Sequence, residues 1–103
     1  MIRVYHATNP TWGFTDPAWP DEYTEVAHVD LDDNNYADAF RLTNSIESYW
    51  WENKGVTPLL DSPAFREVDG MKGTRSTSVG DVIVLSSGKV MRCANAGWTE
   101  VGG

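Results

Sequence analysis

A chain of 103 residues with 41% hydrophobic content and five tryptophans has the size and composition of one globular domain. It can bury a modest core without metals or disulfides. The net charge of −7 disfavours nonspecific binding to a phosphate backbone, and no apolar run approaches the roughly 20 residues of a membrane span.

The charge is uneven. Residues 1–40 hold eight acids against one base, Arg3, and so carry the whole imbalance; residues 41–103 hold seven of each. The acidic part reads either as a solvated face or as a surface for a basic partner. Met1 to Pro10 lacks the long apolar core of a signal peptide. The single Cys93 excludes an internal disulfide and suits a reducing cytoplasm.

In chain order, Ile2–His6 alternates as a strand, with Ile2, Val4 and His6 opposite Arg3 and Tyr5. Asn9-Pro10 ends it, and residues 11–22 form an ordered loop rich in proline and large aromatics (Trp12, Phe14, Trp19). The loop must bury its tryptophans or offer them to a partner. Tyr23–Leu31 is a second strand, with Tyr23, Glu25, Ala27, Val29 and Leu31 on one face. Asp32 or Asp33 then caps a helix in which Tyr36, Ala37, Phe40 and then Thr43 or Asn44 fall at helical spacing, with a break at Asn44-Ser45. A second short helix from Ser45 shows Ile46, Tyr49 and Trp50 on one face, with Trp51 pointing away from it, before Gly55 stops it. Residues 56–73 read as loop with one helical turn near Ser62–Glu67. Val82–Leu85 and Val90–Ala94 form a closing hairpin around Ser86-Ser87-Gly88-Lys89, followed by a last strand, Trp98–Val101. The expected fold is α+β: a small, mainly antiparallel sheet of four to five strands with one or two helices packed on one face.

No motif for catalysis or metal binding survives inspection. Asp30, Asp32 and Asn34 open like a calcium loop, but Asn35 replaces the glycine and Arg41 the closing glutamate. Gly88-Lys89 lacks the rest of a phosphate-binding loop. His6, His28 and Cys93 fall on different strands without ligand spacing. We therefore expect no catalytic residues, no metal and no cofactor. Two groups suit a partner. Arg75, Ser76, Thr77 and Ser78 bring a guanidinium fork and hydroxyls beside glycines, chemistry for an anion or carboxylate; the same hydroxyls can instead bind their own backbone. Arg41 and the Trp50-Trp51 pair form the second group, because neighbours on a helix point about 100° apart and cannot both face a core.

The segment Arg75, Ser78, Gly80, Asp81, Val82, followed by a hairpin and Gly97-Trp98, resembles the YodL-like domains of phage and mobile-element proteins over the C-terminal third of the chain. Phe40–Asn44 and Trp50–Asn53 look like segments of small actinobacteriophage proteins. The resemblance implies a small α+β domain of a phage or plasmid, with a role against host defences and no established catalytic residues. The expected function is therefore non-enzymatic: binding of a host protein in the host cytoplasm, away from membranes, through Trp12, Trp19, Arg41, Trp50, Trp51 and the Arg75–Ser78 loop. The alternative is a nucleic-acid-associated module that uses the same loop.

Overall fold

The computed structural model describes residues 1–12, 14–45, 49–68, 70–95 and 97–101. Eight strands are seen: β1 (Ile2–Ala7), β2 (Tyr23–Val29), β3 (Val56–Pro58), β4 (Arg66–Val68), β5 (Met71–Gly73), β6 (Val82–Val84), β7 (Val90–Ala94) and β8 (Gly97–Glu100). Six of them make one antiparallel sheet in the order β3-β2-β1-β6-β7-β8, and β4 and β5 make a separate two-stranded ribbon. One helix, α1 (Ala37–Leu42), and 3-10 turns at Asp33–Asn35 and Trp50–Glu52 complete the elements. The fold is α+β, with more strands than expected. The extra ones lie in residues 56–73, expected to be loop and helical turn. Here β3 adds to the edge of β2, and Gly70 takes φ +81°, as the turn of a tight β4–β5 ribbon requires.

The sheet is buried on both sides near its centre. Ile2, Val4, Ala27, Val29, Ile83 and Met91 face one core with Ala39 of α1, Trp50 and Phe65. Ala7, Tyr23, Val82 and Val84 face a second, smaller core covered by Trp19. The β6 run Val82-Ile83-Val84 therefore has no polar face, as a strand covered on both sides should not.

Strict alternation over β2 proved wrong. Val4 pairs with Ala27 but Tyr5 pairs with Glu25, so Val26 is an extra, bulged residue. Beyond it the side-chain parity reverses. Tyr23 belongs to the second core, while Val26, Ala27 and Val29 belong to the first.

The helical region is also shorter than the spacing suggested. No side chain of Asp32 caps α1. Asp33 instead accepts the backbone N–H groups of Ser86 and Ser87 in the β6–β7 hairpin, which lowers its carboxyl pKa below the usual value. Of the second helix the described residues show a 3-10 turn, Trp50–Glu52; Ile46 lies outside the described residues. Ser45 Oγ accepts the Trp50 N–H at 3.1 Å. The closing hairpin forms as expected, with Gly88 at φ +94°.

Candidate functional site

Residues 74–81 run between the β4–β5 ribbon and β6, across the end of β1. Asp81 is 1% exposed and holds this crossing together. Its Oδ1 accepts the Ala7 N–H (2.8 Å) and an Arg75 Nη2 proton (2.8 Å); its Oδ2 accepts the Ser78 N–H (2.8 Å) and an Arg75 Nη1 proton (2.6 Å). The pair is bidentate, the strong geometry for guanidinium and carboxylate. The same guanidinium donates to the carbonyls of Ala7 and Ser76 and to Ser78 Oγ. A buried charge this well paired is tolerable; left without its partner it is costly.

The neighbours extend the network. Thr77 donates its N–H to the Thr43 carbonyl, and its hydroxyl lies 2.8 Å from His6 Nε2. Ser76 Oγ accepts the Ser45 N–H. Gly80 and Asp81 exchange backbone hydrogen bonds with Cys93, and Tyr23 Oη donates to the Gly80 carbonyl. Arg75, Ser76, Thr77 and Ser78 are thus each bonded within the protein. Burial pushes the His6 pKa down to about 4, against the opposing pull of Asp81, so the imidazole is neutral near pH 7. Burial pushes the Cys93 thiol up to about 11.

The tryptophans divide. Trp50 is 0% exposed and donates its indole N–H to the Arg75 carbonyl, so it presents nothing to a partner. Trp51 does not point away from the cluster, contrary to the helical expectation. A 3-10 turn sets it edge-on to both Trp50 and Phe65, and Gly73 leaves room for its ring. Tyr49 stacks on it at 4.8 Å between centroids and 13° between planes. Trp19 is pinned between Tyr5 and Tyr23. Trp12 is 57% exposed and Phe14 90%. The Arg75 guanidinium lies 5.6 Å from the Trp12 ring centre, within cation–π range. Arg41 is exposed and, among the described residues, its ion pair is with Asp38 on α1 rather than with the crossing.

Beside the crossing lies a cavity of about 680 Å³. One wall is the end of β1 and the start of β2 (His6, Ala7, Thr8, Thr24). The other is Tyr49, Trp51, Arg66, Gly73 and Arg75. Among the described residues the lining includes no carboxylate, in a chain of net charge −7. Sequence reading missed the cavity because its residues come from five separated segments, none with a motif. Among the described residues, no cluster of three His, Cys, Asp or Glu side chains is placed to hold a metal, and no helix is long and apolar enough to cross a membrane.

No protein-family model matches the chain, and neither curated proteins nor solved structures give a significant match.

Proposed function

We propose that the chain is a non-enzymatic accessory protein of a phage or mobile element that binds a host protein through the tip of its 8–22 loop. One observation carries this reading: two large aromatics, Trp12 and Phe14, stand exposed on a loop whose base is firmly tied down. The tie is made by Trp19 against Tyr5 and Tyr23, by the Thr8 N–H on the Glu22 carbonyl, and by Arg92 on the Pro17 carbonyl. Exposed, pre-ordered aromatics are the usual anchors of protein interfaces, since little flexibility is lost when they are covered.

The partner's chemistry follows from charge. Residues 8–22 hold three acids (Asp16, Asp21, Glu22) and no base, so the complementary surface is basic with an apolar recess for the ring. The geometry gives no support to the nucleic-acid alternative, because the Arg75 fork is taken up by Asp81.

The test compares the tagged protein with a Trp12→Ser/Phe14→Ser double variant in host lysate. The expected result is a basic protein retained by the first, absent with the second, and released at about 0.5 M salt, where the Debye length is only a few ångströms. An identical set of captured proteins with both would overturn the proposal.

A further inference from the structure

We propose that the cavity behind Tyr49 and Trp51 is a binding site for a flat aromatic ligand that carries a negative group, of about the size of a mononucleotide. This goes beyond the loop reading and does not depend on it.

Size comes first. The cavity, at about 680 Å³, lies within the roughly 300–1,000 Å³ range of small-molecule sites. Its aromatic wall is preformed. Trp51 is held by Trp50 and Phe65 at its edges and by the Gly73 backbone, where even a methyl group would come within 2.7 Å of the ring. Tyr49 stacks on this fixed indole and remains 46% exposed, so the wall presents π surface without having to order first.

Charge then selects the ligand. Of the two arginines that line the cavity, Arg75 is neutralised by Asp81. Arg66 is exposed and, among the described residues, has no carboxylate within salt-bridge distance. Among the described residues no acid lines the cavity, and the Asp81 carboxylate behind it is paired by Arg75, which leaves Arg66 as the charge an anion would meet.

Polar complement is also present. His6 lines the cavity, its Nε2 is engaged by Thr77, and its buried Nδ1 has no partner. That atom is itself out of reach of water, so the polar groups His6 leaves for the cavity are those of its neighbours. Thr8 and Thr24 share one hydrogen bond at 3.0 Å, which leaves one hydroxyl proton free.

Titration of the full chain, followed by amide NMR shifts, distinguishes the ligand sources. The probes are AMP, adenosine, indole-3-acetate and inorganic phosphate. AMP or indole-3-acetate is expected to bind with Kd below about 1 mM, and adenosine about tenfold more weakly than AMP. The tighter of the two anions identifies phosphate or carboxylate as the preferred group, and either outcome supports the site. Arg66→Gln should remove the advantage of AMP over adenosine. Tyr49→Ala should weaken every ring-bearing probe about fivefold or more. Both residues are exposed, so the variants should fold, and Arg41→Gln, on α1, should change nothing. Absence of binding by both aromatic anions overturns the proposal, as does binding that neither Arg66→Gln nor Tyr49→Ala alters.

Discussion

Two segments of this chain concentrate large aromatics, and they are treated in opposite ways. Residues 49–52 are drawn into the fold: Trp50 is buried and hydrogen-bonded, and Trp51 is wedged against Gly73 and Phe65. In the second segment, residues 11–19, Trp19 is packed at the base, whereas Trp12 and Phe14 are exposed. Composition does not separate the two. The difference is the surface behind each ring. Trp51 has a glycine and three aromatic neighbours, whereas Trp12 has one guanidinium that already belongs to Asp81.

The contrast can be broken most severely at Asp81. Asp81→Ala leaves Arg75, the Ala7 N–H and the Ser78 N–H without their acceptor, and should cost about 3–5 kcal/mol in urea unfolding. The closed side should then become as labile as the loop tip. A smaller loss should follow acidification. His6 takes up a proton in the unfolded chain near pH 6.5 but in the native chain only near pH 4. Its contribution is therefore complete above the upper value and declines as pH falls between the two, by about 2 kcal/mol at pH 4.5. His6→Gln should flatten that part of the stability profile. Gly73→Ala should cost about 1–2 kcal/mol by pushing on the Trp51 ring, with a change in tryptophan fluorescence that reports the displaced indole. Phe14→Ser should lie within about 0.5 kcal/mol of the parent, because its ring contributes almost nothing to the folded state. A large loss at Phe14 would erase the distinction between the two segments.

Much of the sheet was legible in advance. The closing hairpin announced itself through the apolar run Val82–Leu85 and the glycine at 88, and β1 through its alternation. The ribbon of β4 and β5 was not read, although Asp69-Gly70 is a recognised turn signal; two three-residue strands leave almost no periodicity around it. Short-range reasoning picked out Arg75 but offered its charge to an outside anion. Its carboxylate stands six residues on, and another donor to that carboxylate, the Ala7 N–H, is 74 residues from it in sequence. Helical spacing implied that Trp50 and Trp51 face different ways, yet both pack on the same cluster with Phe65. It failed for Trp51 because a 3-10 turn and a distant glycine gave that ring its own packing site. The cavity depended wholly on such long-range encounters.

The bulge at Val26 has a further consequence. Because one unpaired residue reverses the parity of β2, the same seven-residue strand supplies Tyr23 to one core and Val29 to the other. No change of side chain can undo that arrangement, since it resides in the count of residues rather than in their chemistry. Substitution at 26 by another small apolar residue leaves the strand serving both sides. Removal of that residue would rotate Tyr23 to the opposite face and break its bond to Gly80. At this point the fold tolerates variation in composition far better than variation in length.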